Sequence, residues 1–154
     1  MEIEERFLLG RKKAMALLTH NDRTKWELCD RLEKAGFEQE VIEDAIAYVE
    51  SFHYIDDLRY ATRFAEIYKE TRSIQRIRQD LKKRHVPEEY IDIALENIAW
   101  DDSAALKKEF GKLLKERKIE ELSYEERQKI AAKLYRKGFR TEDIFSYSSL
   151  TYER

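Results

Sequence analysis

Three histidines (His20, His53, His85), one cysteine (Cys29) and four glycines (Gly10, Gly36, Gly111, Gly138) are the residues from which catalysis, metal binding or phosphate cradling would have to start. None stands in a useful pattern. The histidines lie near predicted helix ends, with no His-Glu-x-x-His or Cys/His spacing that could close around zinc. His53 beside Asp56 and Asp57 can be drawn as a ligand cluster, but two aspartates opening a helix are explained by capping. Cys29 falls on an apolar stripe with Leu28 and Leu32, where a small buried thiol is expected. The glycines are isolated, so no Gly-rich loop is available for nucleotide phosphates. The expectation is a chain that is not an enzyme and carries no metal and no cofactor.

Charge is the chemistry that remains. Residues 1–71 hold 11 Lys and Arg against 16 Asp and Glu, a net of −5, whereas residues 72–154 hold 19 against 16, a net of +3. Any contact with a polyanion belongs in the second part. Its richest segment carries Arg72, Arg76, Arg78, Lys82, Lys83 and Arg84 with a single acid, Asp80. Spacings of 4 and 7 place these cations opposite Ile74, Ile77 and Leu81, a ridge suited to phosphates or to an acidic protein groove. Lys107, Lys108, Lys112 and Lys115 follow on the next segment, then Arg136, Lys137 and Arg140. The bland account is a solvated surface laced with ion pairs, since cations late in a helix also answer its dipole. Tyr48, Phe52, Tyr54, Tyr60, Phe64 and Tyr68 could stack on bases, but their helical spacing fits packing better.

The elements that position these residues repeat. Leu28, Leu32, Phe37, Val41, Ile42, Ala45, Ile46 and Val49 correspond, 49 residues later, to Ile77, Leu81, Val86, Tyr90, Ile91, Ala94, Leu95 and Ile98. A third copy at an offset of 102 keeps Ile130, Leu134, Gly138, Phe139 and Ile144. Each copy opens with a further amphipathic stretch, so the unit is three helices. The apolar spacing predicts helices over 4–20, 24–35, 38–51, 57–71, 74–84, 87–99, 103–117, 124–137 and 141–149. Thr24 with Glu27 and Ser123 with Glu126 have capping-box spacing, and Gly36 and Gly138 sit where helices stop. Asp56, Asp57, Asp101, Asp102 and Ser103 are cap candidates for the opening helices of copies two and three, and Pro87 fits a first helical turn. The fold expected is all-α: a tandem array of three helix-turn-helix-like repeats over 1–55, 56–100 and 101–154, elongated and curved, with a frayed C-terminal tail.

Composition agrees. A chain of 154 residues with 42% hydrophobic residues, only four glycines and one proline has material for a core but not for the turns of a β-sandwich. No stretch is apolar enough to cross a bilayer, and the acidic start, Met-Glu-Ile-Glu-Glu-Arg, is unlike a secretory signal. With one cysteine, this predicts a cytoplasmic protein, and nothing in the sequence demands a dimer.

The segment Tyr54-Ile55-Asp56-Asp57-Leu58-Arg59-Tyr60-Ala61, followed by Phe64 and by Arg76-Ile77-Arg78-Gln79-Asp80-Leu81, closely resembles the RecX regulatory protein family. The likeness runs from about Arg11 to Ile144 and ends on Tyr135-Arg136-Lys137-Gly138-Phe139. Three departures touch the turns: His53 stands near a usual glycine, Ser73 replaces a glycine often seen before the basic helix, and Arg84-His85-Val86 replaces Lys-Gly-Ile. The resemblance implies a bacterial modulator, mostly an inhibitor, that binds the RecA recombinase filament on single-stranded DNA. It would lodge in the filament groove and suppress ATP hydrolysis, strand exchange and coprotease activity, with the basic residues named above contacting DNA or recombinase. Non-specific duplex contact is compatible with the same charges. Two other classes are distinguishable: a free-standing helix-turn-helix regulator reading duplex sequence, and a helical adaptor without nucleic-acid binding. Gln75, Arg76 and Gln79 are the nearest base-reading candidates for the former, a weak set.

Overall fold

The computed structural model describes residues 2–98 and 102–148. Among them every regular element is helical: α1 (Ile3–His20), α2 (Lys25–Lys34), α3 (Gln39–Ser51), α4 (Asp57–Tyr68), α5 (Ile74–Lys83), α6 (Glu88–Glu96), α7 (Ser103–Leu114), α8 (Tyr124–Arg136) and α9 (Thr141–Ser148), with one 3-10 turn at Ile119–Glu121. Three successive three-helix units result. Asp101, named above as a cap, and residues 149–154 of the tail expected from Ser146 onward lie outside the described residues, whereas Ser146 and Ser148 belong to α9.

By packing, the chain divides into two compact units, one made of Met1–Arg63 with Leu81–Ala94, the other of Phe64–Asp80 with Leu95–Arg154. The first is centred on Ala14, Leu28, Leu32, Ile42, Ala45, Ile46, Val49 and Ile55. All but Ile55, which follows α3, are the 3- and 4-spaced positions of α1, α2 and α3, so the stripe read from the sequence is the face that leaves water. Gly10 permits α1 to press on α3, because a Cβ there would stand 2.4 Å from Val41 Cγ1. The pair is fastened by Arg11, whose guanidinium donates to both Asp44 oxygens at 2.8 Å. The second unit buries Ala105, Leu106, Phe110, Leu122, Ile130, Ala131, Leu134, Phe139 and Ile144 from α7, α8, α9 and their connections.

Both predicted capping boxes are present: Thr24 and Ser123 accept from the Glu27 and Glu126 amides while those glutamates accept in return. Three helices end three residues earlier than their apolar spacing suggests, among them α6, at Glu96 and not 99. α4 stops at Tyr68, not 71, where the Thr71 amide closes a tighter turn on the Tyr68 carbonyl three residues back, at 3.0 Å. α7 stops at Leu114, not 117, because Lys115 and Glu116 take φ of +50° and +69°, which a right-handed helix cannot continue. His53 and His85, at two of the three departures noted above, both adopt φ of +58°, a left-handed turn with an imidazole on it.

The aspartates depart from the expected roles. Asp56 does cap α4, accepting from the Arg59 amide at 3.0 Å. Asp57 and Asp102 do not cap their own helices: Asp57 accepts from the Lys25 amide at 2.8 Å and Asp102 from the Ile74 amide at 2.9 Å. Each therefore satisfies the first amide of the middle helix one repeat earlier. The N-cap hydroxyls complete the joint. Thr24 Oγ1 donates to the Arg84 carbonyl at 2.9 Å, and Ser73 Oγ donates to the Lys137 carbonyl at 2.9 Å. Both hydroxyls also accept from the amide three residues on, Glu27 at 3.2 Å and Arg76 at 3.1 Å. Thr24 and Ser73 are buried polar residues whose hydrogen bonds are thereby made. One joint lies wholly in each compact unit.

Candidate nucleic-acid interface

The basic residues named from the sequence fall into distinct settings. In the first unit Lys82 pairs with Glu88 at 3.1 Å, Lys83 is exposed, and Arg84, half-buried, gives its carbonyl to Thr24. In the second unit Arg72, Arg76, Lys112 and Lys137 line one cleft of ≈ 290 Å³, together with Tyr68, Thr71, Ser73, Glu109 and Phe139. Lys107, Lys108, Lys115 and Arg136 are exposed and outside that cleft, as is Arg140, which pairs with Asp143 at 2.8 Å. Arg78 is half-buried on α5.

The cleft is assembled where a loop meets two helices. The early end of α4 puts Tyr68 and Arg72 at its mouth, and the start of α5 supplies Arg76. One turn of α7 supplies Glu109 and Lys112, and the residue after α8 supplies Lys137. Two carboxylates organise the four cations. Asp80 accepts from Arg72 at 2.7 Å and from Arg76 at 3.1 Å, while Glu109 accepts from Lys137 at 2.5 Å and from Lys112 at 3.5 Å. Burial pushes the Glu109 carboxyl up, but Lys137 and Lys112 outweigh it and hold the group below its usual range, so it stays charged. Arg72 is fixed from a second side, its guanidinium 3.7 Å from the Tyr68 ring centroid and 5.7 Å from that of Phe64. Asp80 was legible as the one acid of the basic run. Glu109 was not, because an acid three residues before a lysine reads as an ordinary helix-surface pair.

The family-motif residues do structural work. Ile55 and Ala61 are buried, Asp56 caps α4, and Asp57 closes the joint onto α2. Burial raises the Asp57 carboxyl, with the Lys25 amide acting against that shift. Arg59 donates to the His53 carbonyl at 2.9 Å, which holds the left-handed turn, and Tyr60 is half-buried. The aromatics split, contrary to the expectation of uniform packing. Phe64 is buried, whereas Phe52 and Tyr54 are 53% and 48% exposed with ring centroids 5.6 Å apart. Both follow the end of α3, flanking the left-handed His53, before the chain returns to the core at Ile55. Cys29 is half-buried, not fully, beside the first core, and burial raises its thiol, so it is not poised as a nucleophile. Among the described residues, no group of three or more His, Cys, Asp and Glu could hold a metal ion.

Two family models match the chain: RecX, first three-helix domain, over residues 11–48, and RecX, second three-helix domain, over residues 56–95. The regulatory protein RecX of Caldanaerobacter subterraneus is 32% identical over 143 residues, covering 92% of this chain and 70% of that protein. The chain belongs to the RecX family. The RecX of Vibrio campbellii is 38% identical over 90 residues, covering 57% of each protein, and that of Geobacillus sp. is 28% identical over 134 residues. The chain spans about half the length of the Geobacillus relative, 49% of it. In fold it matches the crystal structure of RecX from Lactobacillus salivarius with a TM-score of 0.78, at 20% identity, over 97% of this chain and all of that one. The hydrogen bond between Asp57 and the start of α2 links the residues matched by the second three-helix model to those matched by the first.

Proposed function

We propose that this chain is a regulator of the RecA recombinase, binding its filament on single-stranded DNA and mostly inhibiting ATP hydrolysis, strand exchange and coprotease activity. The observation that carries the reading is the family match across both the first and the second three-helix domain. Occupancy is the mechanism: the chain makes or breaks no bond, and works by filling a groove the filament needs. Cations on α5 and α7, with those after α8, supply contacts to DNA phosphates, while the exposed Phe52 and Tyr54 offer apolar area to a protein surface. The protein acts as a monomer in the cytoplasm.

The test is ATP hydrolysis by a bacterial recombinase on single-stranded DNA, titrated with this protein at two salt concentrations. Inhibition well below one protein per recombinase, relieved by salt, is the expected result. No effect at stoichiometric protein overturns the reading, and tight, sequence-dependent duplex binding without recombinase would put a helix-turn-helix regulator in its place.

A further inference from the structure

The three middle helices differ at one position in the first turn. Helices α2 and α8 carry Glu27 and Glu126 three residues after their N-caps, and each glutamate closes a capping box. Helix α5 carries Arg76 at the equivalent place after Ser73. A cation there opposes the helix dipole by about 0.3–1 kcal/mol and forgoes the reciprocal half of the box. What Arg76 gains locally is its pair with Asp80 one turn on, at 3.1 Å; a capping rule given up for such a pair marks a place where another demand prevails.

That demand is visible in the cleft beside it. The carboxylates lie deep, Asp80 with 8% of its side chain exposed and Glu109 with 13%, whereas Arg76, Lys112 and Lys137 retain 50%, 61% and 45%. Each carboxylate is shared by two cations, so four positive charges face two negative ones and the cleft carries a net charge of +2. The outward cations keep donors directed to solvent, because an ammonium has three and a guanidinium five. Two of the first amides of α5, those of Ile74 and Arg76, are already taken by Asp102 and Ser73. No base can stack on Tyr68 from the side that Arg72 covers.

We infer that this cleft, lined by Arg72, Arg76, Lys112 and Lys137, is a sequence-independent binding site for a backbone phosphate of single-stranded DNA. The ligand is the phosphodiester and not the base: the lining is cationic, the volume of ≈ 290 Å³ sits at the small end of ligand pockets, and the ring is occupied. Asp80 and Glu109 hold the cations in place beforehand, which lowers the entropic cost of binding. The inference rests on the proposed filament-regulator reading and names where that reading meets DNA.

Binding of the full chain to a fluorescent oligothymidylate, followed by anisotropy across a salt series, tests it. Arg76→Gln keeps a residue able to close the capping box, so the helical signal and melting temperature should hold. Arg76→Gln and Lys112→Gln should each weaken binding about fivefold and flatten the slope of log affinity against log salt by about 0.7. Lys129→Gln, the same charge change on the exposed surface of α8, should do neither. If the parent protein binds the oligonucleotide and both cleft variants match it in affinity and slope, the cleft is not the site, while the regulator reading stands. Variants that keep oligonucleotide binding but lose recombinase inhibition would assign the cleft to an acidic protein surface and overturn the phosphate. A parent protein that inhibits recombinase without binding the oligonucleotide also overturns it. Absence of any effect on recombinase refutes the regulator reading itself.

Discussion

The two joints, Thr24 with Arg84 and Asp57 in one compact unit, Ser73 with Lys137 and Asp102 in the other, use the same backbone atoms and differ in what surrounds them. In the first, Trp26 lies on His85 with ring centroids 4.0 Å apart, and the third residue of the helix is an acid that strengthens the cap. In the second, the positions equivalent to Trp26 and His85 are Gln75 and Gly138, and the third residue is a cation. One joint is finished for stability and the other is left open to charge. A repeat thus lets a chain hold one copy of a device constant while another is altered.

Gly138→Ala should expose the difference most. Its φ is +99°, and a Cβ would stand 2.5 Å from Ser73 Oγ and 3.1 Å from Gln75 Cβ. Strain and overpacking together predict a loss of about 3 kcal/mol in urea unfolding. Gly36→Ala, at φ of +92° with nothing within 4 Å, should lose only about 1 kcal/mol. Equal losses would show that the second joint is no more crowded than the open turn.

The joints themselves come next. Thr24→Val and Ser73→Ala each remove a buried hydroxyl that serves one amide and one carbonyl, and each should cost about 1–3 kcal/mol by the same measurement. A change under 0.5 kcal/mol, roughly the level of surface substitutions, would mean the hydroxyls decorate joints held by packing. Smaller again is Trp26→Ala, expected to cost about 1 kcal/mol because the indole is 46% exposed and forfeits chiefly its stack on His85. The corresponding Gln75→Ala should be neutral.

The capping box of α8 supplies the smallest effect and a pH dependence. Arg117, and then Ser123, hold the exposed Glu126 carboxyl at about 2. Its folded value lies below its unfolded one, so its contribution is complete above the ordinary glutamate range and disappears as pH falls through about 2. A carbon-detected NMR titration should show Glu126 taking up its proton only as pH approaches about 2, and Arg117→Gln should move its midpoint up. A midpoint near 4 in the parent protein would show that the Arg117 contact does not persist.

Much of this architecture was legible because it rests on local patterns. Leu28, Leu32, Ile77 and Leu81 announce their faces by spacing, and Thr24 with Glu27 announces a helix start. What was not legible depends on residues far apart in sequence. Asp57 and Asp102 read as caps for the helices they open, and only the folded chain brings them to amides 32 and 28 positions earlier. The end of α7 was hidden for another reason, since neither Lys115 nor Glu116 favours positive φ and their conformation is imposed by tertiary structure. The cations were visible in full, but their grouping was not: of the thirteen Lys and Arg named for binding, Arg72, Arg76, Lys112 and Lys137 line the cleft.

The joints also give the chain two internal clocks. The amides of Lys25 and Ile74 can trade their hydrogens with solvent only when an aspartate from the following repeat lets go. Their exchange rates therefore time the parting of neighbouring repeats separately from the fraying of any single helix. One clock sits in each compact unit, so the two rates, read in one spectrum, would rank the repeats by how readily each releases its neighbour.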